Sequence, residues 1–180
     1  MRLIAPVGGQ EQLYAAVRCG ADGVYLGAKA FNARGSAENF DDASLNDAAA
    51  YCHERGVLVY VTLNTLIMDD ETETLTKTAD EIAASGADAV IIQDLAVAKL
   101  VRDRWPDLPM HASTQMSIHN AAGVRELESL GFAQVVLARE LSIDELRPIH
   151  AHSALSLVCF VHAAHCMCLS GACYLSSMIC

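Results

Sequence analysis

Seven short apolar runs recur along this chain, each separated from the next by a stretch with helical periodicity. The runs are Leu3–Val7, Gly23–Gly27, Val57–Leu63, Ala89–Gln93, Met110–Ser113, Gln134–Ala138 and Leu155–Val161. They are continuous rather than alternating, the pattern of parallel strands buried on both faces. Between them the spacing predicts helices over Gln10–Cys19, Leu45–Arg55, Glu73–Ser85, Leu95–Arg104, Asn120–Leu130 and Ile143–His150. Most of these stop at or next to a glycine or proline, as helix C-termini do. A strand, a helix and a glycine repeating this regularly predict an α/β fold of the (β/α)8 TIM-barrel type. The count stops after about seven β/α units, one short of the eight that close such a barrel. The expected organisation is an incomplete barrel over 1–162, with 163–180 opening a Cys-rich segment of the same domain. Strand edges left open in this way predict self-association through them.

Composition narrows the classes. With 180 residues, 53% hydrophobic and 19% charged, the chain is long enough for a substantial core and far from disorder. A net charge of −10 gives it no phosphate-driven affinity for nucleic acid, which Lys and Arg supply. A nucleic-acid substrate would need basic segments elsewhere in a longer parent. The N-terminal apolar run meets Gly8, Gly9 and Gln10 too early for a signal peptide. The charge-poor stretch from Leu155 to Cys180 is interrupted by His162, His165 and Gly171, so no membrane span is expected. Seven cysteines without a secretory signal point to a reducing, cytoplasmic setting, where clustered thiols bind metal more often than they pair.

In a β/α barrel, function sits on the loops that follow the strands. The polar residues there are Asn32 and Arg34, Thr62 and Asn64, Gln93 and Asp94, Ser113 and Gln115, Arg139 and Glu140, and His162. They are expected around one pocket beside the cysteine segment. Asn32, Arg34, Asn64, Ser113, Gln115, Arg139, Glu140 and His162 are the substrate-pocket candidates. Arg34 would clamp an anionic co-substrate. Arg139 and Glu140 would either bind substrate or brace the barrel mouth as an ion pair. Ser113 lacks a legible base beside it, and a hydroxyl without one is a weak nucleophile. Cys19, Cys52, Cys168 and Cys180 read as small buried hydrophobes. The acidic run Asp69–Glu73 reads as a solvated loop that caps the next helix.

Several motifs together resemble the peptidase U32 (collagenase-like) family. They are Leu3-Ile-Ala-Pro-Val-Gly, Gly20-Ala-Asp-Gly-Val-Tyr-Leu-Gly27, Phe31-Asn-Ala-Arg34, Val61-Thr-Leu-Asn-Thr65, His111-Ala-Ser-Thr-Gln115, Val136-Leu-Ala-Arg-Glu-Leu-Ser142 and the tail from Phe160 to Ser176. Within that family the motifs are nearest the branch that makes 5-hydroxycytidine in 23S ribosomal RNA. The resemblance implies an iron–sulfur-dependent RNA pyrimidine C5-hydroxylase, of which this chain is the N-terminal part, with a prephenate-like co-substrate. It also implies a 4Fe-4S cluster on four cysteines. Cys166 and Cys173 stand at the first two positions, and the other two ligands are expected beyond the chain end. By itself the chain then lacks a complete ligand set. Cys159, Ala163 and His165 depart from the family pattern. Two other readings stay open, a collagenase-like peptidase and an inactive truncated remnant.

Overall fold

The computed structural model describes residues 1–163 and 166–173. Along them, seven strands alternate with six α-helices in the succession of a TIM-barrel-like α/β fold. The chain divides into two compact units, Met1–Pro109 and the residues from Met110 on.

The first unit runs β1 (Ile4–Val7), α1 (Gln10–Arg18), β2 (Gly23–Gly27), α2 (Asp42–His53), β3 (Leu58–Leu63), α3 (Thr72–Ala84), β4 (Ala89–Ile92) and α4 (Leu95–Arg104). Its strands pair in chain order and all in parallel. Ile4 lies opposite Gly23, Gly23 opposite Leu58, and Tyr60 opposite Ala89. Register and period two then sort the side chains onto two faces. Val24, Leu26, Val59, Val61, Val90 and Ile92 share one face, each at most 1% exposed. On the other face Tyr60, Ala89 and Ile91 pack with Ile4, Tyr25 and Leu58. Helix α1 packs on β1, α2 on β3 and α4 on β4. The Asp88 carboxylate fixes the start of β3 by accepting from Val59 N at 2.7 Å, and it also pairs with His53 Nε2 at 2.9 Å.

The second unit runs β5 (Met110–Ala112), α5 (Ala121–Ser129), β6 (Phe132–Val136), α6 (Ile143–Ala151) and β7 (Ser156–Val158), again parallel in chain order. Helix α5 closes on Gly131 at φ 84°, a left-handed turn that glycine adopts without strain.

Several boundaries differ from the sequence reading, each for a local reason. Helix α2 starts at Asp42, three residues earlier than expected. Asp41 accepts from Ser44 N while Ser44 Oγ accepts from Asp41 N, and this capping box extends the first turn. Strand β6 begins at Phe132 because the Gly131 turn delivers the chain straight into the sheet. Strand β7 is shorter than expected, and its residues range from exposed to half-buried. Strands β1, β6 and β7 also lack the two-sided burial read from their apolar runs, whereas β3 and β4 have it. Cys52 is buried, which pushes its thiol up to about 11. Cys19 is exposed, because α1 ends at Arg18 and leaves it on the outer turn. The run at Asp69–Glu71 forms a 3-10 turn that feeds α3. No helix among the described residues is long and apolar enough to cross a membrane.

The two-faced packing gives a direct test. Leu26→Ala removes a side chain only 1% exposed from the face shared with Val61 and Val90. The substitution is expected to cost about 2–5 kcal/mol, because it leaves a cavity in a packed layer. Urea denaturation should show a lower midpoint with an unchanged slope, and a loss under about 0.5 kcal/mol would contradict this packing.

Candidate functional site

In the first unit the loop after β2 is built on its own asparagines. Asn32 Nδ2 donates to Asn39 Oδ1 at 2.7 Å, and its Oδ1 accepts from Arg34 N and Thr62 Oγ1, each at 3.1 Å. Asn39, at φ 53°, donates to the carbonyls of Arg34 and Ala37. Asn64 Oδ1 accepts from Ala33 N at 3.1 Å, tying the loop after β3 to the loop after β2. A Cβ at Gly27 would lie 1.9 Å from Asn32 Nδ2, so the bare backbone there admits the amide. Asn32 and Asn64 thus spend their amides on the loop, and Arg34 is left exposed. Its Nη2 donates to Tyr25 Oη at 3.1 Å, with the guanidinium carbon 5.5 Å from the ring centre. Asp94 caps α4 through Ala96 N and also accepts from Ile67 N.

In the second unit the segment from Cys166 to Cys173 is held from several sides at once. Arg139 Nη1 donates to the Cys166 carbonyl at 3.1 Å and Nη2 to the Cys168 carbonyl at 2.8 Å. Arg139 N donates to Ser170 Oγ at 3.3 Å, and Ser170 N donates to Glu140 Oε1 at 2.6 Å. Ser117 Oγ donates to the Ser170 carbonyl at 2.5 Å. Ser170 is only 3% exposed at the centre of this grip. Gly171 follows at φ 81°, and a Cβ there would stand 2.2 Å from Ser117 Oγ and 2.3 Å from the Gln115 carbonyl. His119 Nδ1 lies 2.6 Å from the Ser117 carbonyl, with Nε2 3.5 Å from Glu140 Oε2. Burial pulls the Glu140 carboxyl upward. The Ser170 hydrogen bonds and the Arg139 charge outweigh it and hold the group below the ordinary carboxylate range.

The grip brings thiols together. The thiols of Cys173 and Cys166 lie close enough to Cys168 to act on its titration. Its own thiol is pushed above the ordinary range, first by the Cys173 bond and charge, then by burial and Cys166. Cys168 is half-exposed, not the buried apolar filler expected of it, on a loop whose backbone is held through its carbonyl by Arg139. Cys166 and Cys173 are exposed. Among the described residues, no group of three or more His, Cys, Asp or Glu side chains already stands in a metal-holding arrangement. The thiols are therefore adjacent without forming a finished shell. Their all-sulfur character suits iron–sulfur chemistry.

The remaining candidates lie as follows. Ser113 is buried, donating to Gln115 Oε1 at 3.3 Å and accepting from Gln115 N at 3.3 Å, as the cap of a 3-10 turn over Thr114–Met116. His162 is exposed, and no hydrogen bond or ion pair joins it to the grip among the described residues. His165 and Cys180 lie outside the described residues. Sequence reasoning missed Ser117, His119 and Ser170. None carries a spacing signal, since each acts through contacts between loops that the chain order separates.

Comparison with known proteins shows the family. The family model described as Peptidase family U32 matches residues 8–180. The chain belongs to peptidase family U32. This U32 chain is 37% identical over 179 residues to a 23S rRNA 5-hydroxycytidine synthase of Escherichia coli, covering 98% of itself and 26% of that protein. It is also 37% identical over 187 residues to a collagenase of Porphyromonas gingivalis, covering 97% of itself and 44% of that protein. A tRNA hydroxylation protein P of Haemophilus influenzae matches at 33% identity over 98% of the chain and 39% of its own length. The chain thus spans 26% to 44% of these curated relatives. Among solved structures, the U32 peptidase Mk0906 superposes with a TM-score of 0.73 over 88% of this chain and 68% of its own, at 16% identity. That likeness carries the fold.

Two outcomes follow from this U32 site. Gly171→Ala forces a Cβ into Ser117 and Gln115 at a left-handed backbone position, so the loop should lift away. Cys168 is then expected to alkylate several-fold faster while the main melting transition stays in place, and wild-type kinetics would refute this seating. His111, only 6% exposed, is pushed down to about 4 by burial, with Gln134 Nε2 3.1 Å from its Nδ1. A histidine whose folded value lies below its unfolded value of about 6.5 stabilises the fold fully above that pH. Its contribution, about 3 kcal/mol, is lost as pH falls from about 6.5 to about 4. His111→Gln should flatten the pH dependence of stability in that window, measured by urea titration at several pH values.

Proposed function

We propose that this chain is the N-terminal, thiol-bearing part of an iron–sulfur-dependent RNA pyrimidine C5-hydroxylase. The observation that carries the reading is the thiol group of Cys166, Cys168 and Cys173 on a loop seated by Arg139 and Glu140. Relatives named for hydroxycytidine synthesis in rRNA and for tRNA hydroxylation support the substrate class. Cys166 and Cys173 would hold the cluster, and the remaining thiolates are expected outside the described residues. When bound, such a cluster supplies one-electron redox chemistry. Arg34, exposed above Tyr25, offers a planar cation for the carboxylate of a prephenate-like co-substrate. With a net charge of −10, the chain leaves RNA phosphate contacts to other parts of the protein.

The peptidase reading has its own support in the Porphyromonas gingivalis collagenase. Peptide hydrolysis needs either a nucleophile held against a base or a hydrolytic metal site, and no metal-holding group of three or more His, Cys, Asp or Glu stands among the described residues. The one hydroxyl nominated as nucleophile, Ser113, is buried and bonded to Gln115. The hydroxylase reading therefore has the better-built site.

Both readings meet in one experiment on a polypeptide that carries this chain and the later cysteine pair of the family signature. Anaerobic reconstitution with ferrous iron and sulfide should give a broad visible absorption, removed by Cys166→Ser or Cys173→Ser. Absence of iron uptake by the wild type would overturn the iron–sulfur reading. Gelatin cleavage that persists without metal and disappears in Ser113→Ala would establish the peptidase instead.

A further inference from the structure

The segment from Ala151 to Cys180 contains no Asp, Glu, Lys or Arg, so it brings no charge of its own with which to seat itself. Every polar contact described above between the Cys166–Cys173 loop and its surroundings runs to loops that follow β5 and β6. Arg139 uses two N–H groups of one guanidinium on two carbonyls two residues apart, at 3.1 and 2.8 Å. That fork fixes the direction of the backbone between Cys166 and Cys168, as a point-charge donor would not. Glu140 takes the N–H of Ser170 at 2.6 Å, and Ser117 Oγ gives its proton to the carbonyl of the same residue. His119 closes the frame, bonded to the Ser117 carbonyl and 3.5 Å from the free oxygen of Glu140. With its second oxygen facing His119 and its first on Ser170, Glu140 is turned to the loop.

We propose that Arg139 and Glu140, with Ser117 behind them, are positioning residues that gather the thiols of Cys166, Cys168 and Cys173 into one group. Their hydrogen bonds to this loop run to the backbone of Cys166, Cys168 and Ser170. The assignment rests on the reading of this loop as the redox-group site only for its purpose, since the gathering itself is a property of the chain alone. It also separates two roles for Glu140. A positioning residue needs only an acceptor at Oε1, which glutamine supplies, whereas an acid or base in the reaction needs the carboxylate.

The probe is phenylarsine oxide, whose trivalent arsenic exchanges its oxygen for two adjacent thiols, forming two As–S bonds and releasing water without any change of oxidation state. The 180-residue chain should bind one equivalent tightly. Glu140→Ala should weaken that binding roughly tenfold or more and release the Ser170 amide to hydrogen exchange by a similar factor, the effect of removing a hydrogen bond to a charged acceptor. Glu140→Gln should restore both. Ser117→Ala, a separate contact to the same residue, should weaken binding in the same direction. Circular dichroism should show each variant folded, and if Glu140→Ala is not, Ser117→Ala and Glu140→Gln carry the test. Wild-type arsenical affinity in both Glu140→Ala and Ser117→Ala would overturn the proposal. So would a Glu140→Gln variant as weak as Glu140→Ala. If the gathering behaves as expected and the extended polypeptide still takes up no iron, the iron–sulfur reading fails and the positioning role stands.

Discussion

The guanidinium of Arg139, forked onto the carbonyls of Cys166 and Cys168, is the interaction on which the candidate site depends. It solves a problem created by the sequence around it, a thirty-residue stretch with no charged side chain. Such a segment is fixed either by burying apolar surface or by borrowing polar partners from elsewhere. Here Met167 and Leu169 remain exposed, so apolar burial is not what holds it. The borrowed partners are Arg139, Glu140 and Ser117, and the buried Ser170 is where they meet. Gly171 completes the seat, because no other residue fits both its left-handed backbone and its distance from Gln115.

The rest of the second unit supports that grip. Strand β6 delivers Leu137 and Ala138 to the interior, where Leu137 N donates to the Val158 carbonyl and Ala138 N to the Ile118 carbonyl. Arg139 and Glu140 therefore leave the sheet from a pinned backbone. Ser117 stands at φ 58°, an unusual conformation for a residue with a side chain, and its neighbours hold it there. The loop after β2 in the first unit is organised on the same principle with different residues. Its asparagines satisfy its own backbone, and Arg34 is left exposed. In both units polar side chains build loops rigid enough to present one chemical group, which is how a barrel scaffold carries function.

The family contains proteins named for hydroxylation and proteins named for proteolysis, and the fold does not choose between them. The choice rests on which group is presented. Three thiols are gathered and partly accessible, whereas the Ser113 hydroxyl is buried and bonded to an amide. The proposed hydroxylase reading draws on the first arrangement, and the second gives the peptidase reading no activated nucleophile.

Much of this architecture was legible in the sequence. Continuous apolar runs, each followed by a helical stretch closing near glycine, determined the order and parallel pairing of the strands, because those features depend on neighbours within a few residues. The motifs carrying the U32 likeness determined the family, and the pairs Arg139-Glu140 and Ser113-Gln115 were marked as belonging to strand-end loops. Tertiary structure alone decided what those residues do. It turned Arg139 and Glu140 toward the cysteine loop, gave Asn32 and Asn64 to loop construction, and made Cys168 a partner of Cys166 and Cys173. It also left Cys19 and the outer strands less buried than their composition implied. The physical reason is range. Periodicity and caps are written between residues three or four apart, whereas a hydrogen bond from Ser117 to Ser170 joins residues 53 apart and exists only once the strands beneath them have paired.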